Sequence, residues 1–149
     1  RRRSDPDHAG GVLFRLAFLL GATLGEDYDV EIIEAHHRHK KDAPSGTALE
    51  LARQVAEGRK IDLSSYSVYG REGITGARKR GTIGIHAIRG GDVIGEHTVS
   101  FMAEGERIEL THKATSREAF ARGALFAAHY LRKRKPGLYN MRQVLAIEN

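Results

Sequence analysis

The sequence predicts an α+β domain, a mixed sheet of about four strands with helices packed on one face. Three observations point there. Leu13, Leu16, Leu20 and Leu24 recur at helical spacing. β-Branched residues gather in short runs such as Val30, Ile32 and Ile33. The segment Arg107–Lys113 alternates with period two, Ile108, Leu110 and His112 on one side and Arg107, Glu109, Thr111 and Lys113 on the other.

Taken in order, residues 1–10 read as a loose arm, Arg-rich and then Ser4-Asp5-Pro6-Asp7. Arginines ahead of the apolar run from Val12 to Leu24 imitate a signal peptide. Asp5 and Asp7 intervene, however, and Arg15 breaks the run, leaving a remainder shorter than a bilayer needs. The run is therefore expected to be a buried amphipathic helix over 11–24, ended by Gly25. Tyr28 to Ala35 reads as a strand. Pro44 blocks further strand pairing, and Ser45 is a natural N-cap for a helix over 46–57. Leu49, Ala52, Val55 and Ala56 give that helix an apolar face, and Gly58 is expected to end it.

A short strand at 66–69 leads into a Gly- and Arg-rich stretch to residue 81, expected to be a long, partly mobile loop. Thr82–Ile88 and Val93–Phe101 flank Gly90-Gly91; paired glycines accept positive φ, so this is a hairpin signal. Thr115-Ser116-Arg117-Glu118 fits a capping box opening a helix over 116–133. Arg132, Lys133 and Arg134 suit the negative end of its dipole.

Composition narrows the function. A chain of 149 residues holds one domain with a real core. With no cysteine it has neither disulfides nor thiolate chemistry, which is compatible with the cytoplasm. A net charge of +5 and a pI near 9.7 fit anionic ligands, nucleic acid or simply a basic surface. Aromatic content is only 7%, and no stacking motif of the kind that reads single strands is evident. Neither nucleic acid nor a membrane is expected as a partner.

The chemistry concentrates in His36-His37-Arg38-His39-Lys40-Lys41-Asp42-Ala43-Pro44-Ser45-Gly46-Thr47-Ala48. Imidazoles titrate near neutrality and can give or take a proton. Lys40 can fix an anion or deliver a proton. The Ser45-Gly46-Thr47 step points free amides outward at a helix start, where carboxylate or phosphate binds. An anion held between His37, Lys40 and the amides of Gly46 and Thr47 would place its reacting centre beside His36. A His-rich metal site, an RNA-touching loop and a merely solvated loop are the other readings. His86, His97, His112 and His129 read better as satisfied core histidines. Arg71, Arg78 and Lys79 could close over an anion.

The run Glu31-Ile32-Ile33-Glu34-Ala35-His36 through Ala48 closely resembles the signature of dihydrodipicolinate reductase, also called 4-hydroxy-tetrahydrodipicolinate reductase. Tyr69-Gly70-Arg71-Glu72-Gly73, Gly81-Thr82-Ile83-Gly84, Arg89 through Thr98, Thr111-His112-Lys113-Ala114 and Gly137-Leu138-Tyr139-Asn140-Met141 match as well. The resemblance covers residues 11–149. It implies the substrate-binding and tetramerisation domain of an NADPH- or NADH-dependent oxidoreductase of diaminopimelate and lysine biosynthesis. By resemblance His36 is the general acid and Lys40 the second proton donor, while His37, Lys40, Ser45, Gly46 and Thr47 hold the substrate carboxylates. No metal is implied. The family's dinucleotide-binding half, with its glycine-rich fingerprint, has no counterpart in this sequence. The expectation is therefore a substrate half that binds a dicarboxylate, forms a homotetramer and does not turn over alone. A non-catalytic oligomerisation or dicarboxylate-binding module is the alternative.

Overall fold

A computed structural model describes residues 8–132, 134–139 and 141–144. Most of the expected arm (1–7), Lys133 and Asn140 lie outside the described residues. The elements are α1 (His8–Leu24), a 3₁₀ turn (Gly25–Asp27), β1 (Asp29–His36), α2 (Gly46–Arg59), α3 (Leu63–Tyr66), β2 (Ser67–Tyr69), β3 (Ile83–Arg89), β4 (Gly95–Ala103), β5 (Glu106–Ala114), α4 (Glu118–Leu131) and α5 (Met141–Val144). The sheet is mixed and has five strands in the order β2-β3-β1-β4-β5. The short segment at 67–69 joins as an edge strand and raises the expected number by one.

β1 is the centre of the sheet, parallel to β3 and antiparallel to β4. A parallel partner requires a crossover, and α2 supplies it. This topology corrects the hairpin expected at Gly90-Gly91. β3 and β4 are not paired with each other, because β1 lies between them. The connection must span two strand spacings, roughly 10 Å, which a two-residue turn cannot do. It arches over the end of β1 instead, with the Gly90 amide donating to the His36 carbonyl at 3.0 Å and the Arg38 amide to the Gly91 carbonyl at 3.2 Å.

The core lies on one face of the sheet. Val30 and Ile32 of β1, Ile83 and Ile85 of β3, and Val99 and Phe101 of β4 meet Leu51, Ala52 and Val55 of α2. Each fully buried large apolar side chain here contributes about 1.5–3 kcal/mol. α1 packs on α2 through buried Leu13 and Ala17. By length and composition alone Ala9–Asp27 would suffice to cross a membrane; its inner stripe packs on α2, while Val12, Leu16 and Leu19 on its other side are exposed, so the helix is less buried than its sequence leads one to expect.

Gly58 does not end α2. The helix runs on to Arg59 and is capped by Lys60 in the left-handed region, at φ 56°. Gly58 is needed for the contact between helices: a Cβ there would stand 2.4 Å from the Phe18 carbonyl oxygen of α1. The capping box is also only half made. Ser116 Oγ accepts the Glu118 amide at 3.1 Å, but the helix starts at Glu118, so that carboxylate stands at the first helical position instead of the third.

On the opposite face of the sheet the arginine-bearing loop is tied down. Arg71 grips Glu31 with two bonds of 2.7 and 3.0 Å, Arg78 Nε adds a third at 2.9 Å, and His86 Nε2 lies 2.6 Å from the same carboxylate. Arg78 also donates to Asp29 and to the carbonyls of Val30 and Thr82. Arg71 and Arg78 thus close over an internal anion, not an open ligand site. Burial pushes the Glu31 carboxyl up, but Arg71, His86 and Arg78 outweigh it and bring its pKa to about 2. The space for this cluster exists because residue 84 is glycine: a Cβ there would fall 1.8 Å from Glu31 Oε2.

Candidate active site

The alternation that sends Val30 and Ile32 into the core continues along β1 to Glu34 and His36. Glu34 is fully buried, and a buried carboxylate must be paired and hydrogen-bonded. Arg89, at the end of β3, meets it as a two-pronged fork, with both bonds at 2.7 Å. The Ser45 amide donates to Oε1 at 3.0 Å, and His36 Nδ1 lies 2.6 Å from Oε2. Burial raises the Glu34 carboxyl, but these donors, Arg89 foremost, prevail and hold its pKa below the ordinary value.

Ser45 is the N-cap of α2, as expected. Its Oγ accepts the Ala48 amide at 3.2 Å and lies 3.0 Å from His97 Nε2. His97 sits opposite Glu34 on β4 and His112 opposite His97 on β5. The His36 and His97 rings meet edge to face, 5.2 Å apart. Burial, and then the neighbouring His36, push His97 down to about 4. It is therefore neutral at physiological pH and serves as a fixed polar wall.

These rings open on a cavity of about 280 Å³, lined by His36, Thr47, Gly95, His97, His112, Phe120 and the first turns of α1. Gly95 leaves room for the His36 ring: a Cβ there would stand 3.1 Å from His36 Nε2. Of the expected site residues, the structure brings His36 and Thr47 to this cavity. Ser45 is buried behind it as cap and spacer. Gly46 is exposed, with open space where a side chain would be, so the first amides of α2 can be approached. Lys40 is turned to Asp42, with Nζ 2.8 and 2.9 Å from its two carboxylate oxygens. His37 stacks at a tilt near His39, 6.2 Å away. Its pKa lies below the ordinary value, through loss of solvent and then the charge of Arg117. Among the described residues no group of three or more His, Cys, Asp or Glu could hold a metal ion.

His97 and His112 line this cavity, and Glu34 with Arg89 stands behind His36; sequence reasoning does not single out any of the four for it. The signal for Glu34 was there to read, since a carboxylate in the apolar register of a strand demands partners. His97 and His112 alternate with core residues, which made them look merely structural; the cavity at the end of the sheet is what gives them a second face.

Residues 11–145 match the family model described as dihydrodipicolinate reductase, C-terminus. The chain is 54% identical over 145 residues to the 4-hydroxy-tetrahydrodipicolinate reductase of Magnetococcus marinus, covering 96% of this chain and 54% of that protein. It is 57% identical over 145 residues to the same-named protein of Hahella chejuensis, again covering 96% and 54%. The dipicolinate-bound dihydrodipicolinate reductase from Paenisporosarcina sp. TG-14 superposes with a TM-score of 0.67 at 30% identity, covering 94% of this chain and 52% of that one. The chain thus spans about half the length of the curated relatives it matches. With its mixed sheet, its His-rich run and this match from residue 11 to 145, the chain belongs to the dihydrodipicolinate reductase family and corresponds to the C-terminal domain.

Proposed function

We propose that this chain is the substrate-binding half of a 4-hydroxy-tetrahydrodipicolinate reductase, with residues 11–149 as the substrate and assembly unit. The observation that carries the reading is the meeting of an imidazole, His36, and the capped start of α2, at Thr47, in one cavity. The relative solved with dipicolinate supports a dicarboxylate as the ligand. In this reading one carboxylate takes the amides of Gly46 and Thr47, and His37 and Lys40 meet the charge of the other. To do so Lys40 exchanges Asp42 for the ligand. His36 then supplies the proton as charge develops on the ligand's ring.

The reduction itself needs NADPH or NADH. The coenzyme in this reading is held mainly by the family's dinucleotide-binding half, and residues 11–149 by themselves bind the dicarboxylate without turning it over. The second face of the sheet exposes Ile33 and Ile88, which favours assembly through that face into a homotetramer. The cytoplasm is the compartment this reading implies.

The test is a calorimetric titration with pyridine-2,6-dicarboxylate. Binding that is lost in Lys40→Ala supports the reading. Absence of binding by the chain, even when a nucleotide-binding half is supplied separately, would leave an oligomerisation module as the better account. NADPH oxidation that returns with that half and vanishes in His36→Gln would separate catalysis from binding alone.

A further inference from the structure

We infer that Glu34 is the positioning residue of this site: one buried carboxylate holds the His36 ring and the start of α2 in a single frame and decides which ring nitrogen faces the cavity. The inference rests on the reading of the cavity as the dicarboxylate site and adds a residue to it.

The argument is one of occupancy. Arg89 alone would pair the buried charge and fill one acceptor position on each oxygen; which groups fill the others is what distinguishes this carboxylate. Here Oε2 is shared by Arg89 (2.7 Å) and His36 Nδ1 (2.6 Å), and Oε1 by Arg89 (2.7 Å) and the Ser45 amide (3.0 Å). All four contacts run to donors. An ionised carboxylate can only accept, so His36 Nδ1 must carry hydrogen. That leaves Nε2, the nitrogen beside Gly95, to meet the cavity. Arg89 extends the frame, since the same nitrogen that serves Oε1 donates to the Asp42 carbonyl at 2.7 Å. Both ends of the segment 37–45 are thereby referenced to one side chain.

The consequence for proton delivery follows directly. In this step a doubly protonated His36 ring passes the proton on Nε2 to an acceptor atom of the ligand and returns to the neutral form, its Nδ1 hydrogen still bound to nitrogen and donated to Glu34; Nε2 then takes a new proton from solvent. No tautomer change is needed between turnovers, and the developing or vanishing ring charge stays beside a fixed anion.

The test reads the ring itself. In the chain labelled with ¹⁵N-histidine, with His36 assigned by its loss in His36→Gln, the neutral ring should show hydrogen on Nδ1. In Glu34→Gln the amide oxygen is claimed by Ser45 and Arg89, so the NH₂ turns toward Nδ1 and the hydrogen should move to Nε2. Affinity for pyridine-2,6-dicarboxylate should fall about 10-fold or more, the size of loss seen when the outer hydrogen-bond partner of a metal-bound histidine is removed. Arg89→Lys, which keeps the charge pair, should keep the Nδ1 hydrogen.

Hydrogen on Nε2 in the unsubstituted chain would overturn the inference even if Glu34→Gln fails to fold. So would a folded Glu34→Gln with the original tautomer and unchanged affinity, which would leave Glu34 a structural ion pair. If the unsubstituted chain binds no dicarboxylate, the functional reading fails on its own, while the tautomer still decides the role of Glu34.

Discussion

A Cβ added to Gly58 would lie 2.4 Å from the carbonyl oxygen of Phe18, so α1 and α2 touch backbone to backbone at this point. Alanine would gain about 1 kcal/mol of intrinsic helix preference over glycine. Against this, forcing two backbones apart in a packed interface costs about 1–3 kcal/mol or more, and a rigid carbonyl cannot step aside as a flexible side chain would. Gly58→Ala should therefore be less stable by about 1–2 kcal/mol. Urea denaturation decides the sign, and a stabilised variant would mean that the helices separate freely.

Stability should fall with acid in two steps. His97 has a folded pKa of about 4 against 6.5 for the free side chain. Between these values the unfolded chain binds a proton that the folded chain refuses, so stability is full above about 6.5 and declines as the pH drops toward 4. The loss is on the order of 3 kcal/mol. His97→Gln should flatten this window, which a series of denaturation curves from pH 7 to pH 4 would show. An unchanged slope would mean that His97 is solvated.

The second step belongs to Glu31. Its folded pKa is about 2 against 4.5 for the free carboxyl. Its contribution is thus complete above 4.5 and is lost as the pH falls to 2. Glu31→Gln mimics that loss at neutral pH, leaving Arg71, Arg78 and His86 around a neutral amide with a single acceptor oxygen. Hydrogen exchange across residues 70–82 should accelerate in this variant, with about 1–3 kcal/mol lost globally. Exchange unchanged in that loop would show that Arg78's bonds to Asp29, Val30 and Thr82 suffice to hold it.

Gly95→Ala tests the room left for the His36 ring. The new methyl would press on His36 Nε2 at 3.1 Å, and the ring cannot retreat because Nδ1 is held at 2.6 Å by Glu34. The fold should survive, since only a few tenths of an ångström are needed. Dicarboxylate affinity should drop about 10-fold, measured by the same calorimetry as for the parent chain. A variant that binds normally would place the ligand away from this nitrogen.

The sequence and the structure agree where local rules govern. The cap at Ser45, the period-two pattern of Ile108, Leu110 and His112, and the strand ahead of the His-rich run all follow from neighbours in the chain. Disagreement begins where a distant segment intervenes. Gly90-Gly91 looks like a hairpin because its own residues permit one, and nothing nearby tells that β1 occupies the space between β3 and β4. Gly58 looks like a terminator until Phe18 is known to lie against it. The site divides the same way. His36 and Thr47 are legible from the local run, whereas His97 and His112 reach the cavity, and Arg89 reaches Glu34, only through strand register.

The central place of β1 has a consequence for how the protein is born. Its two partners, β3 and β4, both follow it in the chain, and β4 is complete only at Ala103. About 70 residues must be synthesised after His36 before both edges of β1 are covered, several seconds at ~5–20 residues per second. Through that interval Val30, Ile32 and Ile33 form a sticky, unpaired ribbon, and Glu34 waits for an arginine that has not yet been added. The nascent chain is most in need of a chaperone while this ribbon is bare, and the end of the sheet that carries His36 is completed only when β3 and β4 have both been added.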